Sequence, residues 1–212
     1  MDIELLAHRG QWNDDHPANS VAALRNALDN HFGIETDVRD SRGTLVISHD
    51  MPPGSGSPRL RDVLEHYADQ RPAQMLALDI KADGLAEAVR DLMDEFTIER
   101  YFVFDMSIPD MVRYVRLGLP VFTRQSEYEP EPAFYAESAG VWLDAFTTDW
   151  FDVGTIQRHL DRGKSVAVVS PELHGRAYDA VWKIARAARP TGRTRLFLCT
   201  DHPQRFGKSH AN

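Results

Sequence analysis

Two histidines and several charged residues within the first 81 positions of this 212-residue chain have the types and spacing of a catalytic site. They stand in four short groups: His8-Arg9, Glu35-Thr36-Asp37, His49-Asp50 and Asp79-Ile80-Lys81. Residues two apart on a β-strand share a face, so Glu35 with Asp37, and Asp79 with Lys81, are expected to project together. Carboxylate oxygens suit hard cations. We therefore expect Glu35, Asp37 and Asp79 to bind Mg²⁺ or Ca²⁺, with Mn²⁺ also compatible.

The same groups contain what cleavage of a phosphodiester requires, namely neutralisation of the phosphoryl oxygens, a base and an acid. His8 and His49 are the candidates for acid and base, because imidazole has an unperturbed pKa of about 6.5. Arg9 and Lys81 would add positive charge around the phosphate. Taken singly, each residue also has a structural interpretation, such as an ion pair between Asp79 and Lys81. Taken together, so many charges at strand ends are costly to bury without a metal or substrate.

The elements that must position these residues follow from the alternation of short apolar runs with amphipathic segments. Eight strands are predicted, at residues 3–8, 33–39 continued by 44–49, 75–81, 101–106, 121–125, 140–144, 165–170 and 194–200. Seven helices are predicted between them, at residues 20–30, 59–68, 85–96, 109–117, 132–138, 154–162 and 178–188. The pattern predicts an α/β fold, a single small (β/α)₈ TIM barrel, with an open doubly wound sheet as the alternative. In such barrels the active site lies at the carboxyl ends of the strands.

Composition limits the class of protein. Hydrophobic residues at 42% and charged residues at 26% are ordinary for a globular protein, here one domain over residues 1–206 with a disordered tail predicted at 207–212. A formal net charge of −8 disfavours nucleic-acid binding. The single cysteine, Cys199, is expected to be a buried thiol. The N-terminus resembles neither a signal peptide nor a membrane span, so we expect a cytoplasmic location without stable membrane anchoring. The sequence does not determine the oligomeric state.

The order and spacing of these motifs resemble the glycerophosphodiester phosphodiesterase family, a branch of the phospholipase-C-like phosphodiesterase barrels. The matching segments are His8-Arg9-Gly10, Pro17-Ala18-Asn19-Ser20, Glu35-Thr36-Asp37, Gly43, His49-Asp50, Asp79-Ile80-Lys81 and Thr200-Asp201-His202-Pro203. The resemblance is dense over residues 6–81 and returns at 200–203. It implies catalytic histidines His8 and His49, a metal held by Glu35, Asp37 and Asp79, and phosphate contacts from Arg9 and Lys81.

The chain departs from the family pattern at four places. Ala18 replaces the Glu of the turn, where Asn19 and Ser20 still offer a helix cap. Asp79 replaces a longer Glu. Residues 51–58 form only a short loop where the family often inserts a small cap, and the seventh strand ends at Ser170-Pro171-Glu172-Leu173-His174-Gly175. Glu172 is therefore a predicted substrate contact, with a solvated loop as the alternative.

Other polar residues are weaker candidates. Arg124, Trp142, Asp144, Asp201 and His202 lie near strand ends, and His16, His31, His66, His159 and His210 are expected at the surface.

Three functions are compatible with the sequence. The leading hypothesis is a metal-dependent phosphodiesterase of lipid metabolism that hydrolyses a small glycerophosphodiester or a related phosphodiester by acid–base catalysis from the two histidines. A second keeps the same site but cleaves the diester through a cyclic phosphate, as a lyase. A third is a barrel that binds a phosphorylated ligand without turnover.

Overall fold

The computed structural model describes residues 3–53, 56–70 and 73–208. The chain divides into two compact units. The N-terminal unit is Ala7–Val121, and the C-terminal unit combines the residues up to Leu6 with those from Phe122 onward.

The N-terminal unit begins within the first strand and alternates strands with helices. Its elements are β1 (Glu4–His8, which starts in the other unit), α1 (Val21–Asp29), β2 (Gly33–Ser41), β3 (Thr44–Ile47), α2 (Leu60–Gln70), β4 (Leu76–Ile80), α3 (Ala86–Glu95), β5 (Tyr101–Phe104) and α4 (Ile108–Arg116). Strands β2, β4 and β5 are parallel, and their register places Asp37 directly beside Asp79. The predicted continuation of the second strand at 44–49 is instead an antiparallel partner, β3, which returns along β2 after the turn at Arg42-Gly43.

The C-terminal unit continues the alternation, except that no helix lies between its first two strands, a stretch that the structure describes completely. Its elements are β6 (Phe122–Gln125), β7 (Gly140–Leu143), α5 (Val153–Asp161), β8 (Ser165–Val169), a short 3₁₀-helix (Pro171–His174), α6 (Asp179–Ala187), β9 (Leu196–Thr200) and α7 (Pro203–Lys208). The four strands from β6 to β9 are parallel. The predicted helix at 132–138 is wrong, because Phe134 adopts a left-handed backbone (φ 51°) and the segment forms only a turn. The predicted tail is helical through Lys208, and residues 209–212 lie outside the described residues.

Eight parallel strands alternating with helices define the fold class as a (β/α)₈ barrel, with a strand order of β5-β4-β2-β1-β9-β8-β7-β6. The predicted fold class is confirmed. Strand β4 is buried along its whole length, as expected for a parallel strand covered on both faces. Ser20, Ser107 and Asp152 cap the N-termini of α1, α4 and α5 with their side-chain oxygens. None of the helices in the described ranges is long and apolar enough to cross a bilayer.

Candidate active site

Strands β1, β2 and β4 position the predicted cation ligands and their neighbours. His8 is the last residue of β1, Glu35 and Asp37 lie in β2, and Asp79 lies in β4. The chain leaves β1 through two left-handed residues, Arg9 (φ 56°) and Gly10 (φ 87°). A Cβ at position 10 would lie only 2.5 Å from the carbonyl carbon of Ala23 in α1. This turn therefore requires glycine, and the close contact with α1 fixes the direction in which Arg9 leaves the strand.

Glu35, Asp37 and Asp79 form a buried acidic cluster. One oxygen from each of the three carboxylates lies within 4.8 Å of the others, and Asp37 is fully buried. Within the described part of the chain, Asp37 Oδ1 and Asp79 Oδ1 are buried and have no hydrogen-bond partner. Oxygens bound to a single Ca²⁺ at about 2.3–2.6 Å would be at most about 5 Å apart, so the spacing suits one hard cation.

The pKa values of these carboxyl groups also indicate a cation site. Burial, followed by repulsion from Asp37 and Asp79, raises the pKa of Glu35 well above its usual range. Burial raises the pKa of Asp79 to about 8, although Lys81 opposes the shift. Because burial and mutual repulsion disfavour the charged carboxylates, a divalent cation bound among them would stabilise their ionised forms. Its residues can therefore hold a divalent cation.

Lys81 lies among three carboxylates. Its Nζ is 2.7 Å from Asp79 Oδ2, 2.9 Å from Asp105 Oδ2 and 3.8 Å from Asp37 Oδ1. Burial alone would lower the pKa of Lys81, but attraction from Asp79 and Asp105 raises it overall, so the side chain stays charged. Asp105 was not predicted as a site residue. The available signal was an acidic residue directly after the apolar strand β5.

Arg9 and Asn19 contact the acidic cluster from the β1–α1 loop. Arg9 Nε lies 3.0 Å from Asp37 Oδ2, an ion-pair distance, although its N–H is not directed at this oxygen. The Arg9 backbone N–H lies 3.2 Å from Glu35 Oε2. Asn19 donates from Nδ2 to Asp37 Oδ2 at 2.6 Å. Of the two residues expected to offer a helix cap, Ser20 caps α1, whereas the contact of Asn19 with Asp37 was not predicted.

The two predicted catalytic histidines lie in different surroundings. His8 Nε2 is 3.8 Å from Glu35 Oε2, and the His8 side chain is 19% exposed. The His49 side chain is 50% exposed, and its Nδ1 is 2.9 Å from Asp50 Oδ1. His49 lines a cleft of 460 Å³ together with Arg9, Asn19 and Ser20. All the predicted catalytic, metal-binding and phosphate-binding residues except Glu172 lie within the N-terminal unit. His8 is near the Glu35 carboxylate, and His49 lines the same cleft as Arg9.

The predicted substrate contact Glu172 lies in the 3₁₀-helix of the C-terminal unit. Its carboxylate accepts hydrogen bonds from the hydroxyls of Ser170 and Thr200 and from the backbone N–H of Asp201, the last at 3.2 Å. These bonds connect the end of β8 to the end of β9. Glu172 therefore has a structural role, and contact with a substrate stays a prediction.

Other candidates in the C-terminal unit also have partners. His174 Nε2 lies 2.7 Å from the buried Asp144 carboxylate, which raises the pKa of His174. Arg124 is paired with Glu129, and Trp142 is buried. The prediction that His159 is a surface residue is wrong, because its ring is buried between α5 and neighbouring segments.

Fold and site together define a (β/α)₈ barrel with a carboxylate-lined site at its strand ends. No family model and no curated protein matches the sequence. Among solved structures, the chain is similar to a candidate glycerophosphodiester phosphodiesterase from Galdieria sulphuraria, with a TM-score of 0.79 and 16% identity over 100% of this chain and 99% of the other.

Two further solved structures share the fold. A glycerophosphodiester phosphodiesterase from Parabacteroides distasonis has a TM-score of 0.70 and 17% identity over 99% of this chain and 98% of its own. A phosphodiesterase from Oleispira antarctica, in complex with its product sn-glycerol-3-phosphate, has a TM-score of 0.65 and 17% identity over 99% and 97%. At such low identity the likeness establishes the shared barrel fold.

Proposed function

We propose that this chain is a divalent-cation-dependent phosphodiesterase that hydrolyses a small glycerophosphodiester or a related phosphodiester. The observation that carries the proposal is the buried Glu35, Asp37 and Asp79 cluster beside the cationic side chains of Arg9 and Lys81. The names of the structural neighbours support the choice of reaction, since they are phosphodiesterases of the same fold and one holds sn-glycerol-3-phosphate. A cytoplasmic location and a part in lipid metabolism stay predictions.

Glu35, Asp37 and Asp79 are the residues that would hold Mg²⁺, Ca²⁺ or Mn²⁺. Two aspartate oxygens that lack partners among the described residues, and carboxyl pKa values raised by burial and mutual repulsion, fit a cation ligand set. When bound, a divalent cation neutralises charge on the phosphoryl oxygens. Arg9 and Lys81 add fixed positive charge for the same anion, and Arg9 is also exposed to the cleft that His49 lines.

The histidines exchange protons with the attacking and leaving oxygens. Because an ionised Asp50 carboxylate only accepts hydrogen bonds, Nδ1 of a neutral His49 carries the proton and Nε2 is left as a base. As a water oxygen attacks phosphorus, its proton passes to His49 Nε2. As the bond from phosphorus to the leaving oxygen breaks, His8 donates a proton to that oxygen. The products are a phosphomonoester and an alcohol.

Turnover of a phosphodiester panel tests this proposal. Glycerophosphocholine, glycerophosphoethanolamine and an aryl phosphodiester would be offered with Mg²⁺, Ca²⁺ or Mn²⁺, and then with excess chelator. We expect turnover that the chelator abolishes and the cation restores, with losses of about 10²–10⁴-fold in His8→Ala and His49→Ala. His66→Ala is the matched control, because His66 pairs with Asp29 on the surface of α1 and α2.

The products separate the three functions. Phosphorus NMR showing a phosphomonoester supports hydrolysis, whereas a cyclic phosphate that accumulates indicates the lyase reaction. Tight diester binding without turnover under any cation would favour the non-catalytic barrel. Full activity in both histidine variants would refute the acid–base assignment.

A further inference from the structure

We propose that Asn19 is a positioning residue, whose side-chain amide holds Asp37 in the orientation that keeps Oδ1 available to a cation. The proposal rests on the proposed function, because it concerns the same carboxylate cluster. It adds two residues, Asn19 and Thr36, that touch neither the predicted acid nor the predicted base in the contacts described above.

Hydrogen bonds at both ends of the Asn19 side-chain amide define its orientation. Asn19 Nδ2 donates to Asp37 Oδ2 at 2.6 Å, and the Thr36 hydroxyl donates to Asn19 Oδ1 at 2.8 Å. An ionised carboxylate only accepts hydrogen bonds, so the amide must turn its NH₂ group toward Asp37. The fully buried Thr36 then fits the other end of the amide as a donor. Thr36 therefore fixes which way the amide of Asn19 points.

The backbone of the β1–α1 loop also positions this amide. Asn19 has a left-handed conformation (φ 62°), which asparagine tolerates better than most residues, and its N–H donates to the carbonyl of Arg9 at 2.9 Å. Helix α1 does not use the Asn19 side chain, because Ser20 Oγ accepts from Ala23 N at 3.1 Å. The loop therefore adopts an unfavourable backbone conformation at Asn19, and in this conformation the side-chain amide reaches Asp37.

The two carboxylate oxygens have different surroundings in each of the two aspartates. Asp37 has Oδ2 bound to Asn19, and Asp79 has Oδ2 paired with Lys81 Nζ at 2.7 Å. In both, Oδ1 is buried and lacks a hydrogen-bond partner in the residues that the structure describes. Each aspartate therefore has one oxygen held by a neighbour and one oxygen without a hydrogen bond that can bind a cation, although Asp37 Oδ1 also lies 3.8 Å from Lys81 Nζ. Without the amide, the Asp37 carboxylate could rotate and bring Oδ1 closer to Lys81 Nζ, which lies 3.8 Å away in the structure, and this oxygen would then be lost to a cation.

Binding of Mn²⁺ alone, measured by electron paramagnetic resonance of the free ion, tests the proposal without any substrate. Thr36→Val keeps the shape of the side chain but removes the hydroxyl, and we expect Mn²⁺ affinity to fall about 10-fold, with a fall of about 10–100-fold in Asn19→Ala. Thr36→Ser retains the hydroxyl and should restore the affinity. Ser107→Ala is the control, since it removes a helix cap on α4 that does not contact the cluster.

Each outcome has a defined meaning. Reduced affinity in Thr36→Val with recovery in Thr36→Ser supports the proposal. Unchanged affinity in Thr36→Val and Asn19→Ala, with Mn²⁺ bound by the unmodified chain, overturns the positioning role and leaves the proposed function standing. An equal loss in Ser107→Ala also overturns it, because the effect would then follow general stability. If the unmodified chain does not bind Mn²⁺, both the cation-dependent function and the positioning role fail.

Discussion

The buried His159 gives the sharpest prediction for the pH dependence of stability. Its Nε2 lies 2.8 Å from Gln125 Oε1 and its Nδ1 lies 2.9 Å from the Tyr135 hydroxyl. Gln125 donates from its own Nε2 to the carbonyl of Pro130, so its Oε1 accepts and the proton of the neutral imidazole is on Nε2. Burial first, and then the charges of Arg158 and Arg162, lower the pKa of His159 to about 4.

The sign of the effect follows from the two pKa values. The folded state has a pKa of about 4, whereas the ordinary value is 6.5, so the unfolded chain takes up the proton first as the pH falls. Stability is therefore complete above about pH 6.5 and is lost as the pH falls toward about 4. At about 1.4 kcal/mol per pH unit the whole effect is about 3 kcal/mol, of which about 2 kcal/mol is lost between about pH 7.5 and pH 5.

Urea unfolding at these two pH values measures the effect. We expect His159→Gln to be about 1–3 kcal/mol less stable near neutral pH, because it breaks buried hydrogen bonds. Between about pH 7.5 and pH 5, the free energy of unfolding of His159→Gln should fall by about 2 kcal/mol less than that of the unmodified chain. His31→Asn, at an exposed left-handed position, is the control and should not change the pH dependence. Equal pH dependence in His159→Gln and the unmodified chain, or an NMR titration of His159 near its ordinary value, would refute the reasoning.

Three further predictions concern stability and substrate binding. Gly10→Ala should destabilise the fold far more than Gly43→Ala in urea unfolding. Both glycines have positive φ, but of the two only a Cβ at position 10 would clash with backbone atoms among the described residues. Similar losses of stability would contradict this reasoning. Lys81→Met should cost the metal-free protein about 3–5 kcal/mol by leaving buried carboxylates unpaired, and added Mn²⁺ should recover part of the thermal stability. Glu172→Gln should lower the free energy of unfolding by about 1–3 kcal/mol. The substitution replaces one of the two carboxylate oxygens, which accept from the hydroxyls of Ser170 and Thr200, with an NH₂ group that cannot accept. A raised KM in Glu172→Gln would support the predicted substrate contact. Unchanged stability would show that the hydrogen bonds of Glu172 contribute little to the free energy of unfolding.

The sequence allowed the strand pattern and the acidic cluster to be predicted, because both depend on local periodicity. Glu35 and Asp37 share a strand face by their spacing, and Asp79 stood out as a charge within an apolar run that is buried in β4. The structure then added the register, which places Asp37 beside Asp79.

The missed features depend on contacts between distant segments. Asn19 and Asp37 are 18 positions apart, and Lys81 and Asp105 are 24 apart, so no local pattern pairs them. His159 is on an amphipathic helix, and its burial depends on partners 24 and 34 positions away. The helix predicted at 132–138 was wrong for a local reason, because the apolar spacing of the segment did not reveal the left-handed backbone at Phe134.

The left-handed backbone at Arg9, Asn19 and Asp105 has a consequence for attempts to engineer a more robust protein. Such a conformation costs a residue with a side chain roughly 1–2 kcal/mol, so glycine would relieve the strain at each of these positions. Each glycine would also delete a side chain that contacts the carboxylates or their lysine. Redesign guided by stability alone would therefore favour the changes that dismantle the site, and these three positions should be held constant in such a design.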